Sequence, residues 1–154
     1  MSTVVVDASL ALKWSIPEHD SNVALAMLTD WLQKGVELLV PALFVCEITN
    51  VMFQHVRGKK MTTDEAKDAL QKILAIGIEL DALQDGSISI RALEFADQFS
   101  QKATYDSHYL ALAEREGCEY WTADERLWHA VHGTLSWVRW LGEFASQPGS
   151  APNP

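Results

Sequence analysis

Residues 1–14 read MSTVVVDASLALKW, and the run of three valines ends directly on Asp7, which is followed by the small residues Ala8 and Ser9. A run of β-branched residues is typical of a short buried strand. A carboxylate at the end of a buried strand requires a hydrogen-bond donor or a cation nearby. The surroundings of Asp7 therefore depend on the fold that the rest of the sequence specifies.

Further strand-like runs alternate with helical patterns. The runs are VELLV at 36–40, IEL at 78–80, EYWT at 119–122 and SWVRWL at 136–141. Apolar residues at helical spacing, with stop signals such as Gly35, Gly58 and Gly77, predict helices over 20–34, 41–58, 62–77, 87–100, 104–117 and 125–132. This alternation indicates a single three-layer α/β/α domain over residues 1–145, with a parallel sheet of about five strands.

The composition is that of an ordinary globular protein. Of the 154 residues, 48% are hydrophobic and 21% are charged, and no apolar run approaches the ~18 residues of a membrane span. The first residues lack the pattern of a signal peptide, and Cys46 and Cys118 lack disulfide or zinc-site spacing. We expect a cytoplasmic protein with buried free thiols, no membrane association and a disordered tail at residues 146–154.

The net charge is −9, which argues against a general nucleic-acid-binding protein, because such proteins usually present a basic surface. The one compact basic cluster is Arg57-Gly58-Lys59-Lys60. A short run of this kind is most often the solvated end of a helix. Contacts with nucleic acid would therefore depend on a few local charges.

Four acidic residues are predicted to meet at one edge of the sheet. Asp7 ends the first strand, Asp124 follows the fourth, and Asp106 lies in the first turn of the helix after Thr104. Glu47 lies about two turns into the helix that follows the second strand. In open α/β sheets, sites form beyond the carboxyl ends of the strands, which is where these four residues fall.

Glu47 also has an unusual position on its helix. It lies on the border of the apolar face that comprises Phe44, Ile48, Val51 and His55. A solvated glutamate is expected on the opposite face, so this carboxylate needs a donor or a cation. Asn50, one turn further on, leans the same way and could orient it.

Each aspartate also has an ordinary structural interpretation. Asp7 and Asp124 could cap the helices that follow them, and Asp106 could favour a helix dipole. The coincidence of four acids at one edge is what favours a site. Carboxylates gathered there repel one another and raise each other's pKa values, a cost that divalent cations remove. An all-oxygen set of ligands suits Mg²⁺ or Mn²⁺ better than zinc.

The sequence resembles the PIN domain, and most closely the toxin ribonucleases of VapBC-type toxin–antitoxin pairs. The matching segments are VVVDASL at 4–10, PALFVCEITNVM at 41–52, TYDSHYLALAE at 104–114 and WTADERL at 121–127. They occur in the order of the family and each adjoins the expected strand or helix. The resemblance covers roughly residues 3–142.

The resemblance implies a metal-dependent endoribonuclease of a type II toxin–antitoxin pair. Asp7, Glu47, Asp106 and Asp124 would hold one or two Mg²⁺ or Mn²⁺ ions and carry the catalysis. Ser9 and Thr122 would support the ligands or a bound water, and Asn50 would orient Glu47. The expected partners are RNA, a small antitoxin protein and a second copy of the chain. Candidate RNA contacts, chosen by their proximity to the motifs, are Lys13, Arg57, Lys59, Lys60, Lys102 and Arg126.

Two alternatives stay open at the level of the sequence. One is a catalytically silent PIN-like module that binds RNA or protein. The other is a phospho-acceptor protein of doubly wound fold. A dehalogenase-type phosphatase would place a second aspartate two residues after the first, where Ser9 stands, and a receiver domain would place adjacent acids where Ala8 stands. Both versions of the second alternative therefore fit poorly.

Overall fold

Five parallel strands form one sheet in the computed structural model, which describes residues 2–83 and 86–145. The strands are β1 (Thr3–Val6), β2 (Glu37–Val40), β3 (Glu79–Leu80), β4 (Glu119–Thr122) and β5 (Val138–Trp140). Their order across the sheet is β3-β2-β1-β4-β5. The tail at 146–154, for which disorder is predicted, lies outside the described residues.

Eight helices are described around this sheet. They are α1 (Ala8–Leu12), α2 (Ser21–Gln33), α3 (Leu43–Arg57), α4 (Thr63–Leu74), α5 (Ser87–Gln98), α6 (Tyr105–Glu116), α7 (Glu125–Val131) and α8 (Leu141–Ala145). The predicted helices correspond to α2 through α7, whereas the short α1 and α8 were not predicted. Within residues 2–83 and 86–145, no helix combines the length and the apolar character needed to span a membrane.

The central strand β1 is covered on both of its faces. Val5 and Val6 are both 0% exposed, and consecutive residues of a strand point to opposite faces of the sheet. Helices therefore lie on both sides, which confirms the predicted three-layer α/β/α arrangement. β1 pairs with β2 on one side and with β4 on the other, where Val6 is in register with Trp121. Asp7 consequently leaves the sheet beside Thr122.

The predicted burial of both cysteines is wrong for Cys46. This residue is exposed on α3, and Cys118 is half-buried; both are free thiols. The buried residues of α3 are Phe44, Ile48 and Met52, and their spacing of four places Cys46 on the outer face of the helix. An apolar sequence neighbourhood therefore does not bury a residue whose helical phase points outward.

A capping box formed by Thr62 and Glu65 begins α4. The Thr62 hydroxyl accepts a hydrogen bond from the Glu65 amide at 3.1 Å, and the Glu65 carboxylate accepts one from the Thr62 amide at 3.3 Å. These two bonds satisfy donors that would otherwise be unpaired at the helix end. α4 packs against α3, the helix that carries Glu47.

Replacement of Thr62 by alanine should destabilise the fold by about 1 kcal/mol, because the side-chain cap is lost. Urea denaturation of the wild type and of Thr62→Ala measures this difference. Thr62→Ser keeps the hydroxyl and is the matched control, which should stay close to the wild type. Equal stabilities of the alanine and serine variants would show that the cap contributes nothing.

Candidate active site

The four predicted acids are brought together at the carboxyl edge of the sheet. Glu47, Asp106 and Asp124 line one cavity of about 620 Å³. Asp7 is 3% exposed and lies close enough to Asp106 and Glu47 for its charge to raise the pKa of both. The edge therefore concentrates negative charge contributed by four separate segments of the chain.

Asp7 is surrounded by hydrogen-bond donors. One carboxylate oxygen accepts from the Ser9 hydroxyl at 2.6 Å and from the Leu10 amide at 3.1 Å. The other accepts from the Tyr120 hydroxyl at 2.6 Å and from the Thr122 hydroxyl at 2.5 Å. Burial raises the pKa of the Asp7 carboxyl, and these hydrogen bonds oppose that shift. Both lone-pair directions of each oxygen are thus in use.

Ser9 and Thr122 extend this network from Asp7 to the loop after β4. The two hydroxyls are 3.3 Å apart. Ser9 accepts a hydrogen bond from the Ala123 amide at 3.1 Å, and Thr122 accepts one from the Asp124 amide at 3.0 Å. The hydroxyls therefore fix the backbone that carries Asp124 relative to Asp7. The role of Ser9 and Thr122 in supporting metal ligands or a bound water, which the resemblance implies, stays a prediction.

Glu47 is held by a tyrosine from α6. Its carboxylate accepts a hydrogen bond from the Tyr109 hydroxyl at 2.7 Å. Burial raises the pKa of Glu47, the hydrogen bond from Tyr109 opposes this shift, and the charge of Asp7 adds to it. The predicted partner Asn50 is exposed and forms no hydrogen bond with any described residue.

Tyr109 and Tyr120 were both missed by the sequence analysis. Each is 0% exposed, and their rings stack with centroids 5.8 Å apart and an angle of 15° between the planes. One donates to Glu47 and the other to Asp7. One signal could have pointed to them, since a buried tyrosine hydroxyl needs a hydrogen-bond acceptor. The sequence does not identify that acceptor.

Asp106 differs from the other acids because its carboxylate accepts no hydrogen bond from the residues that the structure describes. It lies in the first turn of α6. Burial, followed by the charges of Asp7, Asp124 and Glu47, raises the pKa of its carboxyl to about 7. Asp106 is therefore poised to exchange a proton near neutral pH.

The capping interpretation of Asp7 and Asp124 is also correct. Asp7 caps α1 through the Leu10 amide, and Asp124 caps α7 through the Arg126 and Leu127 amides at 3.0 and 3.2 Å. Asp106 caps nothing, since Thr104 occupies the cap position of α6. Capping and membership of the acidic cluster are therefore compatible in the same side chain.

No lysine or arginine of the described chain forms an ion pair with Asp7, Glu47, Asp106 or Asp124. An uncompensated, all-oxygen set of carboxylates fits a hard divalent cation in charge and in donor type. As arranged here, however, no group of three or more His, Cys, Asp or Glu side chains in residues 2–83 and 86–145 could hold a metal ion.

The candidate RNA-contacting residues divide into three groups. Lys13 is not available to RNA. Its ammonium donates a hydrogen bond to the His19 carbonyl at 2.7 Å and forms an ion pair with Glu18 at 3.4 Å, and its side chain is only 15% exposed. Arg126 and Lys102 line the cavity that holds the acids. The cluster of Arg57, Lys59 and Lys60 lies at the end of α3 and is exposed.

A model of the PIN domain family matches residues 4–132. Similar solved structures include PAE2754 from Pyrobaculum aerophilum, with 22% identity, coverage of 95% of this chain and 98% of that one, and a TM-score of 0.64. The sarcin–ricin loop-cleaving toxin VapC20 of Mycobacterium tuberculosis has 14% identity, coverage of 83% and 95%, and a TM-score of 0.59. VapBC-1 from nontypeable Haemophilus influenzae has 8% identity, coverage of 90% and 96%, and a TM-score of 0.59. No curated protein sequence matches significantly.

The raised pKa of Asp106 predicts that the metal-free protein loses stability as pH rises. The carboxyl titrates near 3.8 in an unfolded chain and at about 7 in the folded protein. The folded state therefore binds this proton more tightly, and the stabilisation is complete below about pH 4 and lost as pH rises through about 7. Asp106→Asn should lessen the fall and be more stable than the wild type at about pH 8, by about 1 kcal/mol or more.

Urea denaturation in EDTA across this pH range measures the effect. Asp97→Asn, which changes an exposed aspartate on α5, is the matched control and should follow the wild-type profile. If Asp106→Asn and the wild type lose the same stability between the two ends of the range, the carboxyl is not titrating as the geometry requires.

Proposed function

This chain belongs to the PIN domain family, and from that premise we propose that it is a metal-dependent endoribonuclease and the toxin of a type II toxin–antitoxin pair. The observation that carries the proposal is the set of four carboxylates at the sheet edge without a balancing cation from the described chain. Burial, followed by the charges of Asp7, Asp124 and Glu47, raises the pKa of Asp106 to about 7. Charge of this kind is costly to the fold unless a cation or a proton offsets it.

Asp7, Glu47, Asp106 and Asp124 would hold one or two Mg²⁺ or Mn²⁺ ions. A bound divalent ion supplies an activated water and offsets the charge of a phosphodiester. The chain's own residues set the geometry: Tyr109 and Tyr120 orient Glu47 and Asp7, and the β4 loop aims Asp124 into the cavity.

Asp106 is the best candidate to accept a proton from the attacking water. Its carboxylate accepts no hydrogen bond from any donor among the described residues, so an oxygen is available at the cavity to accept a proton. Its position in the wall of the cavity gives a substrate phosphate access to it. Asp7, in contrast, is too buried and too fully bonded to act as a base.

The same burial argues against a phospho-acceptor role. A phosphatase or receiver aspartate must present an oxygen to a phosphoryl donor, whereas Asp7 is 3% exposed and accepts hydrogen bonds at both oxygens. One observation favours the other alternative, a catalytically silent PIN-like module that binds RNA or protein. In the described residues, the acidic side chains are not arranged to hold a metal ion. The two tests below separate the silent module from the nuclease.

The proposed partners are an antitoxin protein and a second copy of the chain, in the cytoplasm. Large apolar side chains are exposed on several elements, including Phe53 on α3, Leu74 on α4, and Ile90 and Leu93 on α5. Single exposed apolar side chains are common on protein surfaces, so the support for these partners is the similarity to the toxin structures VapC20 and VapBC-1.

Asp7→Asn should reduce RNA cleavage by at least about 100-fold, because it removes the central carboxylate of the proposed site. The fold should persist, since the amide oxygen can accept from Ser9 and Leu10 while the Tyr120 and Thr122 hydroxyls turn to accept from the amide nitrogen. Single-turnover cleavage of labelled RNA with Mg²⁺ or with EDTA measures the rate. Asp68→Asn, an exposed aspartate on α4, is the control and should cleave normally.

Undiminished cleavage by Asp7→Asn, or cleavage by the wild type in EDTA, would overturn this mechanism. A wild type that binds RNA or an antitoxin but cleaves nothing with either Mg²⁺ or Mn²⁺ would identify the silent module instead.

Mn²⁺ should raise the melting temperature of the wild type, because a ligand that binds only the folded state stabilises it, by about 2.7 kcal/mol at a concentration 100 times the Kd. The shift should be lost in Asp106→Asn and retained in Asp68→Asn. Differential scanning fluorimetry over a Mn²⁺ titration measures it. Absence of a shift at millimolar Mn²⁺, or equal shifts in both variants, would remove the support for a metal site at these acids.

A further inference from the structure

The basic side chains of this acidic protein are mostly neutralised by its own acids. Ion pairs engage Lys13, Lys34, Lys67, Lys72, Arg91, Arg115 and Arg139. The remaining five basic residues form no ion pair with any acid among the described residues; they are Arg57, Lys59, Lys60, Lys102 and Arg126. Two of these, Lys102 and Arg126, lie in the wall of the cavity that holds Glu47, Asp106 and Asp124.

A large aromatic side chain lies in the same wall. Tyr105 is 62% exposed and lines the cavity beside Asp106, the next residue in the sequence. Its ring stacks on no other aromatic ring and its hydroxyl forms no hydrogen bond within the part of the chain that the structure describes. The other tyrosines of α6 and β4, Tyr109 and Tyr120, are fully buried and bonded. Packing therefore does not explain Tyr105.

On the basis of the proposed function, we propose that Tyr105, Lys102 and Arg126 form the nucleotide-binding wall of the site. An unpaired base of single-stranded RNA stacks there on the Tyr105 ring. Lys102 and Arg126 contact the phosphates on either side of that nucleotide. The acids next to them face the phosphodiester that is cut.

The chemistry of the wall favours this ligand. A base can stack on a protein ring only when it is free of its neighbours, so an exposed ring beside a cleavage site selects single strands, loops or bulges. A cavity of about 620 Å³ is within the size range of small-ligand sites. The two unpaired cations supply charge for phosphates without neutralising the acids, since neither forms an ion pair with them.

Binding of short, labelled, single-stranded oligoribonucleotides by fluorescence anisotropy tests the proposal, in an Asp7→Asn background so that the probe is not cut. Adding Tyr105→Ala should weaken binding roughly 5- to 100-fold, the range for loss of one base–aromatic stack. Tyr105→Phe and Tyr105→Trp should retain it. Phe53→Ala removes a ring that is also exposed, by 56%, on α3 outside the cavity, and should have no effect.

An abasic probe distinguishes stacking from an indirect structural effect. Removing the base that contacts Tyr105 should weaken binding to the Asp7→Asn parent. It should not weaken binding to the double variant Asp7→Asn/Tyr105→Ala, because loss of the base and loss of the ring remove the same interaction. A duplex of the same sequence should show no dependence on Tyr105. In separate variants, Lys102→Ala and Arg126→Ala should each lower the slope of log K against log salt by about 0.7, as expected for one lost contact with a single strand.

Equal binding of the Tyr105→Ala and parent variants, or an abasic penalty that persists without the ring, overturns the proposal. Failure of the proposed function gives a different pattern. If the wild type cleaves RNA and Tyr105→Ala cleaves and binds it equally well, only the nucleotide-binding wall is wrong. If the wild type neither cleaves nor binds any single-stranded probe, the ribonuclease is wrong and the wall is wrong with it.

Discussion

The network of hydrogen bonds around the side chain of Asp7 is the interaction on which both the fold and the site depend. A buried carboxylate without partners would cost several kcal/mol. Here donors arrive from both directions, Ser9 and Leu10 from the turn into α1 and Tyr120 and Thr122 from the neighbouring strand. The anion thereby joins the end of β1 to the end of β4, and it fixes the edge of the sheet at which the other acids gather.

The remaining acids are treated differently by the structure. Glu47 accepts one hydrogen bond, from Tyr109, and Asp124 accepts two, from backbone amides, whereas Asp106 accepts none from the described residues. In the proposed metal site, the hydrogen bonds of Asp7 would hold that carboxylate rigid before anything binds, while Asp106 would keep both of its oxygens available. The cost is stability in the absence of a cation or proton, which is a common cost of a functional site.

Local sequence patterns predict most of this architecture because they record burial and chain reversal. The valines of β1, the Thr62–Glu65 cap and the placement of the acids at a parallel sheet edge all follow from short-range spacing and topology. The tyrosine contacts do not, since Tyr109 reaches across 62 residues to Glu47 and Tyr120 across 113 to Asp7. Such bonds depend on how α3, α6 and β4 are placed against one another. The positions of Asn50, Lys13 and Cys46 likewise depend on side-chain direction, which periodicity records only coarsely.

Net charge is a poor guide to what this surface can bind, because the charges are not distributed evenly. The sum of −9 includes many acids that already neutralise a lysine or arginine of the same molecule, as Asp81 does with Arg115 at 2.7 Å. Because salt screens charges beyond about 10 Å, a bound polyanion interacts mainly with nearby basic side chains that form no ion pair within the protein. Those cations lie at the end of α3 and in the wall of the acidic cavity. If the chain is the proposed ribonuclease, so few free cations would leave stacking on Tyr105 to supply a larger share of its affinity for RNA than in a basic ribonuclease.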